Sequence, residues 1–495
     1  MLIKTSPEEI ENFLTDASNT RGFCDAVYFP ESKEDIADIL RKANKEKISV
    51  TVSGNHTGLT GAAVPHGGIV ISTEKLNKIL EINTDEEFAV VQPGVILADF
   101  LKEIKSKNYL YPPDPTEDNC FIGGTVATNA SGAKTFKYGP TRNYIEELEI
   151  ILADGNILNL SRGMQEADGL SMKLKTEKGK KIFLEIPDFK MPHTKNASGY
   201  FCKKNMDAID LFIGSEGTLG VITKIKLKII PAPEKLISCV VFFNDENCAL
   251  GFLQKARELS YQTRQIHQAN AIDALALEYF DERALRFLSK DFRQVPPDAN
   301  AAIWFEQETT KESDDTILEL WMNLISEFNG NEESAWFSLT ENDKKNIKEF
   351  RHAISWKINE YMAGKGFRKL GTDVAVPPEK FEELYLYSKN VVTKNSLKFV
   401  NYGHFGDAHM HLNILPETEE QFELGKKIYS EICSKAIKLG GTVSAEHGIG
   451  KNKTKYLLEM YGEENIRKMA ELKRRLDPNL ILGIGNIFDE KILSA

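Results

Sequence analysis

Long apolar runs and an excess of basic residues are both missing from this sequence. No segment is long and apolar enough to span a bilayer, and the acidic start MLIKTSPEEIENFL lacks the apolar core of a signal peptide. We therefore expect a cytoplasmic protein, with peripheral contact at a membrane left open. The formal net charge of −11 argues against nucleic acid as a partner, because an acidic chain gains no counterion release from a phosphate backbone.

Cysteine is scarce, and two common nucleotide-binding motifs are absent. The six cysteines are scattered without a CxxC pair, which disfavours a disulfide framework, a zinc ribbon and an iron–sulfur cluster. Neither the GxGxxG motif of Rossmann domains nor the GxxxxGK[ST] motif of P-loop proteins occurs. Reduced thiols in or near hydrophobic cores are therefore expected at Cys24, Cys120, Cys202, Cys239, Cys248 and Cys433.

The chain is long enough for two or three structural units. Its 495 residues exceed one ordinary core, and the apolar periodicity predicts an α+β mixture rather than a regular βαβ array. A helix is expected over residues 35–48 and a strand over Ile48–Val52. The prolines in Pro231–Glu234 indicate the end of a first unit. The predicted division is residues 1–233, residues 234–475, and an apolar tail, residues 476–495, that returns to the first unit.

Three glycine-rich runs are present in the first unit. They are Ser53–Gly61, Gly123–Gly132 and Gly214–Ile222, and each combines small residues and hydroxyls next to a predicted strand. Glycine lets backbone N–H groups approach an anion closely and adopt positive φ. Three such loops in one domain exceed what turns need, so a large cofactor is expected.

Histidines concentrate in the second unit. Three lie within Gly403–Asn413, and His447 directly follows Glu446. On a strand, His409 and His411 point to the same face, because side chains alternate. Imidazole and carboxylate groups suit zinc, manganese or iron, so this density favours a metal site over a polar loop.

The glycine-rich and histidine-rich segments together resemble one flavoprotein family. VSGNHTGLTGAAVPHGGIVIS, YPPDPT, FIGGTVATNASGAKTFKYG and LFIGSEGTLGVIT are similar to the FAD domain of the vanillyl-alcohol oxidase / p-cresol methylhydroxylase (PCMH) superfamily. They look most like its branch of D-lactate, glycolate and D-2-hydroxyglutarate dehydrogenases. The resemblance covers nearly the whole chain. It implies an α+β fold with a two-subdomain PCMH-type FAD-binding domain and an α+β cap (substrate) domain, which has an antiparallel sheet and a helical C-terminal region.

The resemblance assigns FAD to the glycine-rich half. His56 is expected to make a non-covalent polar contact, with a covalent link to FAD as the alternative. The implied pyrophosphate residues are Ser53, Gly54, Asn55, His56, Thr57, Gly58 and Leu59. Those lining the rest of the cofactor are Pro113, Thr116, Gly123, Gly124, Thr128, Ser131 and Tyr138, with Gly217, Gly220 and Ile222 at the adenine side.

The family pattern HxGDxxxH followed by EH implies the chemistry of the second unit. Position by position, it gives His404, His411 and Glu446 as ligands of a divalent metal, with zinc preferred and manganese or iron as alternatives. His447 would be the catalytic base. His409 falls where relatives often have Asn, and three roles stay open for it: a further ligand, a partner that holds a ligand, or packing.

The substrate contacts implied by the resemblance are Arg351, Ser355 and Asn413. An arginine would bind the substrate carboxylate through two hydrogen bonds, whereas the alternative for Arg351 is a solvated helix residue. In the 2-hydroxyglutarate members a lysine stands where this chain has Gly371. Lys369 and Arg368 are candidate substitutes, but the difference favours a monocarboxylate.

The expected reaction is FAD-dependent oxidation of a small D-2-hydroxy acid, first of all D-lactate, to the 2-oxo acid. Hydride would move from C2 to the flavin N5 and the hydroxyl proton to His447. D-2-hydroxyglutarate and glycolate are the alternative substrates. More distant alternatives are a non-redox flavin transferase of the alkyl-glycerone-phosphate synthase type and an FAD subunit that only relays electrons. No NAD site is expected. Quinone, an electron-transfer flavoprotein and an iron–sulfur subunit all stay open as the electron acceptor. A homodimer is the possible assembly.

Overall fold

The computed structural model describes residues 1–494, and the glycine-rich half forms two main sheets. A four-stranded sheet has the order β1-β2-β4-β3, with parallel pairing of β4 to both β2 and β3. A five-stranded antiparallel sheet has the order β5-β6-β12-β8-β9. The strands of this half are β1 Leu2–Lys4, β2 Ala26–Phe29, β3 Val50–Ser53, β4 Ile69–Ser72, β5 Ile79–Asn83, β6 Phe88–Val91, β7 Tyr109–Leu110, β8 Ile145–Ile151, β9 Ile157–Ser161, β10 Ser171–Lys175, β11 Lys181–Glu185, β12 Val221–Lys228 and β13 Ile230–Pro231.

Short helices connect these strands, and α2 illustrates why they form. Ser32 caps its start by accepting a hydrogen bond from the Asp35 backbone N–H, and Lys47 ends it in the left-handed conformation. The predicted helix at residues 35–48 is therefore shifted by two residues. The helices of this half are α1 Pro7–Ile10, α2 Lys33–Glu46, α3 Leu97–Lys105, α4 Ile122–Thr128, α5 Thr135–Tyr138 and α6 Ile209–Phe212, with 3₁₀ turns at Glu11–Phe13 and Thr141–Tyr144.

The second half is built on one eight-stranded antiparallel sheet. Its order is β17-β14-β16-β15-β20-β21-β18, and β19 also pairs with β21. The connection from β13 to β14 falls at residues 232–234, where the division of the chain was predicted. The strands are β14 Lys235–Phe243, β15 Ala274–Asp281, β16 Ala301–Thr309, β17 Trp336–Phe337, β18 Leu370–Gly371, β19 Val374–Ala375, β20 Phe399–Gly403 and β21 His409–Ile414.

Long helices pack against this sheet. Phe252 of α7 and Trp321 of α9 lie against Phe305 of β16, with the Trp321 and Phe305 rings stacked 4.0 Å apart. The helices are α7 Glu246–Ile266, α8 Glu282–Leu288, α9 Asp314–Glu327, α10 Glu341–Ala363, α11 Phe381–Lys394, α12 Glu419–Lys438, α13 Thr454–Leu476 and α14 Glu490–Ser494, with 3₁₀ turns at Pro378–Lys380 and Phe405–Asp407.

The chain after α13 lies against the first half. The Val50 N–H of β3 donates to the Ile481 carbonyl at 2.7 Å, and the Gly483 N–H donates to the Val50 carbonyl at 2.9 Å. Ile481 and Leu482 are buried in the core beside α2. The last residues thus complete the packing of the first unit.

These observations confirm the α+β prediction. The two sheets of the first half and the antiparallel sheet of the second match the two-subdomain domain and the cap that the resemblance implies. Within residues 1–494, no helix has the length and apolar character that crossing a membrane requires.

Candidate functional site

A cavity of about 280 Å³, here called the glycine-lined cavity, lies between the two sheets of the first half and the loop before α13. The loops after β3 and around α4, and the loop that leads into β12, form most of its wall. It brings together most of the predicted cofactor residues: Gly54, Asn55, His56, Thr57, Gly58, Leu59, Thr116, Gly123, Gly124, Thr128, Ser131, Gly217, Gly220 and Ile222.

The glycines of this wall leave room that side chains would fill. A Cβ added at Gly124 would meet no atom within 4 Å, and one at Gly58 would meet only Asp16, at 3.6 Å. At Gly54 the first contact would be Phe121, at 3.7 Å. A bound group can thereby approach the backbone closely at these three positions, and this suits a pyrophosphate group.

Three predicted cofactor residues lie outside this wall. Ser53 is fully buried, with its hydroxyl 3.2 Å from Nε2 of His56. Pro113 is buried as well, and the Tyr138 hydroxyl donates to Glu308 of β16. The contacts of these three residues with FAD stay predictions.

His56 faces a packed environment. Its backbone adopts a positive φ of 56°, and its ring packs edge-on against Phe13 at 5.1 Å. Burial lowers its pKa below the ordinary value, against the opposing effect of Asp16. The neutral imidazole is therefore the favoured form at this wall.

Glu216 is a wall residue that the sequence pattern did not single out. Its carboxylate accepts hydrogen bonds from the backbone N–H groups of Ile449 at 2.7 Å and Gly450 at 2.6 Å. Burial raises its pKa to about 7, although those two hydrogen bonds oppose the shift. Glu216 thus joins the first half to the loop that carries Glu446 and His447.

A second cavity, of about 970 Å³, is here called the histidine-lined cavity. It lies at the edge of the cap sheet where β20, β21 and β18 meet the start of α13 and the middle of α10. Every residue predicted for the metal, the base and the substrate lines it: Arg351, Ser355, His404, His411, Asn413, Glu446 and His447.

The predicted metal ligands form a compact cluster. Nε2 of His404 lies 3.3 Å from one Glu446 oxygen, and Nε2 of His411 lies 3.6 Å from the other. Donor atoms of these three residues and of His409 all lie within 4.8 Å of one another. Two imidazoles and a carboxylate at this spacing are a donor set that zinc, manganese or iron accepts.

The outer nitrogen of each predicted histidine ligand is held by an acceptor. Nδ1 of His404 lies 2.6 Å from Oε1 of Glu278, and Nδ1 of His411 donates to the Thr372 carbonyl at 3.0 Å. Such outer bonds fix the ring and direct the other nitrogen inward. Glu278, in β15, was not predicted from sequence.

Opposite charges set the protonation states of this cluster. Burial alone would lower the pKa of His404, but Glu278 and Glu446 raise it to about 9. Burial would raise the pKa of Glu446, but His404 and Lys195 hold it well below the ordinary value. Lys195, also missed in the sequence, is buried with its ammonium 2.5 Å from Glu446.

A single buried carboxylate, Asp373, organises the predicted base. Nδ1 of His447 lies 3.2 Å from Oδ2 of Asp373, and the His447 backbone N–H donates to the same oxygen at 3.1 Å. Lys453 also donates to it, at 2.8 Å. Burial opposes ionisation of Asp373, but His447 and Lys453 hold its pKa well below the ordinary value. The ionised Asp373 therefore lies beside Nδ1 of His447, and His447 itself lines the cavity.

Arg351 is a buried residue, which excludes the alternative of a solvated helix arginine. Its side chain is 7% exposed, its guanidinium lies 5.2 Å from the Trp304 ring, and its Nε is 3.7 Å from Glu278. Asn413, on β21, donates to the His411 carbonyl at 2.9 Å and pairs in register with Gly371. Both side chains border the space beside the metal-ligand cluster.

The two cavities share part of their walls. The shared residues are Leu59, Thr116, Glu446 and His447. A cofactor in the glycine-lined cavity and a small molecule in the histidine-lined cavity would therefore meet at His447. Hydride transfer between two bound molecules needs such a junction.

Two family models match the chain. One describes an FAD binding domain and matches residues 24–161. The other describes the C-terminal domain of FAD-linked oxidases and matches residues 245–487. The first covers much of the glycine-lined cavity and the second contains the histidine cluster.

Curated relatives match over nearly their whole lengths. A D-lactate dehydrogenase of Anaerostipes hadrus is 30% identical, over 92% of this chain and 88% of the relative. Glycolate oxidase subunit GlcD of Bacillus subtilis is 29% identical, over 94% and 89%. A D-2-hydroxyglutarate dehydrogenase of Stutzerimonas stutzeri is 28% identical, over 94% and 90%. The three names differ in substrate at nearly equal identity.

Solved structures with lower sequence identity share the fold of this chain. A 4-ethylphenol oxidase from Gulosibacter chungangensis superposes with a TM-score of 0.69 at 16% identity, covering 98% of this chain and 94% of the other. An alkyldihydroxyacetonephosphate synthase superposes with a TM-score of 0.67 at 15% identity, covering 97% and 81%. Oxidase and synthase names on one fold mean that the fold alone does not select the reaction.

Proposed function

Because the chain belongs to the family of FAD-linked D-2-hydroxy-acid dehydrogenases with a PCMH-type FAD-binding domain, we propose that its substrate is D-lactate and its product the 2-oxo acid. The observation that carries this proposal is the cluster of His404, His411 and Glu446 beside His447, on the wall that both cavities share. A non-redox transferase or an electron-relay subunit has no need of this set.

The bound groups and the side chains have separate tasks in this proposal. When bound, FAD supplies the hydride acceptor, and a divalent metal supplies a Lewis acid for the hydroxyl and carboxylate oxygens of the substrate. His404, His411 and Glu446 would hold the metal. Arg351 lies in the same wall and offers a guanidinium to the substrate carboxylate.

His447 is the proposed acceptor of the hydroxyl proton. Its Nδ1–H is committed to Asp373, so Nε2 carries the lone pair that takes the proton. The imidazolium that forms stays next to the ionised Asp373, which stabilises its charge. Asp373 touches His447 rather than the substrate and is a positioning residue.

D-2-hydroxyglutarate is a second candidate, favoured by the size and charge of the cavity. Its volume of about 970 Å³ exceeds what a three-carbon acid fills, and cations from the loop before β18 and from the helices α12 and α13 line it. Lys369 and Arg368, which were considered as substitutes for the lysine missing at Gly371, are among them, with Lys426 and Lys455 farther along the wall. These ammonium and guanidinium groups suit a second carboxylate.

Anaerobic flavin reduction distinguishes these candidates. The FAD-loaded protein is mixed with D-lactate, L-lactate, glycolate or D-2-hydroxyglutarate, with and without a chelator, and its visible absorbance is followed. Bleaching by D-lactate that is lost on chelation and restored by zinc or manganese is the expected result. Faster bleaching by D-2-hydroxyglutarate would move the proposal to the dicarboxylate, and no bleaching by any of the four would contradict it.

A further inference from the structure

We propose that His409 is a fourth protein ligand of the metal, so that the site consists of three imidazoles and one carboxylate. This inference rests on the proposed metal-assisted function and deepens it. His409 is completely buried on β21, two residues before His411. Its ring centroid lies 4.3 Å from that of His411 and 5.2 Å from that of His404. All three rings therefore border the same small volume.

The hydrogen bonds of His409 match those of the two predicted histidine ligands. Its Nε2 lies 3.0 Å from Oδ1 of Asp373, an acceptor outside the cluster. His404 and His411 likewise use one nitrogen for an outer acceptor, Glu278 and the Thr372 carbonyl. A ligand histidine shows this arrangement because the outer bond fixes the tautomer and leaves the other nitrogen bare.

The remaining nitrogen of His409 has no partner of its own among the described residues. Nδ1 is buried and without a hydrogen bond, whereas the inner nitrogens of His404 and His411 face Glu446. Since Nε2–H is committed to Asp373, Nδ1 carries a lone pair. A buried lone pair without a donor is costly unless something binds it. Each of His404, His409, His411 and Glu446 has a donor atom within 4.8 Å of those of the other three, so a cation bound by this cluster and by Nδ1 would remove that cost.

Four protein ligands limit the coordination of the metal. A tetrahedral zinc ion held by all four would have no open position, as in structural zinc sites. An ion that accepts six ligands would keep two positions, the number that the hydroxyl and carboxylate oxygens of a chelating 2-hydroxy acid occupy. His409 thus favours a metal ion with more than four ligands in the substrate complex.

The number of imidazole ligands can be measured in the resting protein, without adding substrate. The FAD-loaded wild-type protein and the variants His409→Asn, Glu278→Gln and His193→Asn are each loaded with zinc. The number of imidazoles is fitted from zinc X-ray absorption, and affinity is measured by competition with a chromophoric chelator. We expect three imidazoles in the wild type, two in His409→Asn, and an affinity loss of about 100-fold or more in that variant.

The other two variants separate a ligand from a neighbouring role. Glu278→Gln removes an outer acceptor and should lower affinity by about 10- to 100-fold while three imidazoles remain. His193→Asn changes an exposed histidine and should change neither quantity. Two imidazoles in the wild type, or an unchanged count in His409→Asn, would overturn the inference. The wild-type count decides the question even if His409→Asn does not fold.

Flavin bleaching of the same wild-type sample tests the dehydrogenase proposal separately from the proposal that His409 is a metal ligand. Bleaching by a D-2-hydroxy acid together with only two imidazoles would reject His409 as a ligand and leave the dehydrogenase proposal standing. A protein that binds no zinc and yet is bleached would overturn the inference and remove the metal from the mechanism. Three imidazoles without bleaching would support the ligand set and count against the proposed substrates.

Discussion

His447 and Asp373 form a pair at the residue scale, in which one residue reacts and the other orients it. Asp373 binds both the side chain and the backbone of His447, and it also binds Nε2 of His409. The proposed base and the proposed fourth ligand therefore depend on one carboxylate. A change at Asp373 would alter the positions of both His447 and His409. The tests at these two histidines therefore need substitutions that leave Asp373 in place.

Replacing His447 with alanine tests the proposed base. We expect His447→Ala to retain FAD and metal, because its imidazole is not among the proposed metal ligands, and to reduce the rate of flavin bleaching by about 10²- to 10⁴-fold. Stopped-flow absorbance with substrate gives the rate, and metal analysis gives the occupancy. His66→Ala, at an exposed position, is the control. A bleaching rate within a few-fold of the wild type would remove His447 from the mechanism.

Glu216 makes a pH-dependent contribution to stability. Between its ordinary pKa of 4.5 and its folded pKa of about 7, the carboxyl is ionised in the unfolded chain and protonated in the folded chain. Folding then takes up a proton, so this group's contribution to the free energy of unfolding falls as pH rises through that window. The full change is about 3 kcal/mol at 1.36 kcal/mol per pKa unit.

The variant Glu216→Gln removes this titration. Denaturant unfolding at pH 4.5 and pH 7.5 should show the wild type losing up to about 3 kcal/mol relative to the variant between the two pH values. The amide also loses one acceptor for the N–H groups of Ile449 and Gly450, but the amide does not titrate, so this loss adds no pH dependence to the stability of the variant. Glu87→Gln is the matched control. Glu87 has a positive φ, as Glu216 does, but its side chain is only partly buried. Parallel pH profiles for wild type and Glu216→Gln would contradict the assignment.

At the scale of elements, apolar periodicity predicted the helix α2 and the strand β3 to within two residues but not β15. β15, Ala274–Asp281, is rich in alanine and leucine, which favour helices in isolation. All eight of its residues are buried between β16 and β20. Burial in the sheet overrode local preference there.

Long-range contacts explain which site residues could be predicted. The ligands and the base lie in two short motifs, so their residue types and spacing are visible in the sequence. Glu278 contacts His404 across 126 residues, and Lys195 contacts Glu446 across 251. No local pattern marks such a residue as part of a site, because the fold alone brings it there. Asp373 contacts His447 across 74 residues, and its role depends on the same kind of contact.

The pairing of β18 with β21 gives a test of substrate positioning. A Cβ added at Gly371 would lie 2.6 Å from Oδ1 of Asn413, its partner in register, so Asn413 would have to move. We expect Gly371→Ala to weaken substrate binding by about tenfold, the equivalent of one hydrogen bond, with the flavin spectrum unchanged. Equilibrium titration of the oxidised flavin with a non-reducing substrate analogue measures this.

A second glycine provides the control for that test. Gly364, which ends α10, has an ordinary helical φ of −64°, and a Cβ there would come no closer than 3.5 Å to another atom. Gly364→Ala should bind the analogue as the wild type does. Equal affinities for Gly371→Ala and Gly364→Ala would mean that Asn413 does not contact the substrate.

At the scale of the whole molecule, the final segment ties the two halves together. Lys473 near the end of α13 is buried and donates to the carbonyls of Thr218 and Leu482, as well as to Asp477. The loop with Glu446 and His447 continues to Gly450, which donates to Glu216. The cap thus supplies part of the glycine-lined cavity, and the first half supplies part of the histidine-lined cavity. We therefore expect flavin binding and the folding of both halves to be coupled.

Asn486 offers a local test of this coupling. Its amide donates to the carbonyls of Ala62 and Glu216, and its oxygen accepts from Lys451 at 2.7 Å. Asn486→Ala leaves these buried groups without partners, at a cost of about 1–3 kcal/mol. Because the bonds join the tail to the glycine-lined cavity, the temperatures of flavin release and of unfolding should fall together, by a few degrees.

Flavin fluorescence and circular dichroism, followed in the same thermal scan, measure the two transitions. Asn479→Ala is the control, since Asn479 is an exposed tail residue that bonds only to Asn44 among the described residues. If Asn486→Ala lowered the unfolding temperature while flavin release stayed unchanged, the tail would stabilise the fold without shaping the cofactor cavity. A joint decrease would instead mean that the last residues of the chain belong, functionally, to the domain at its start.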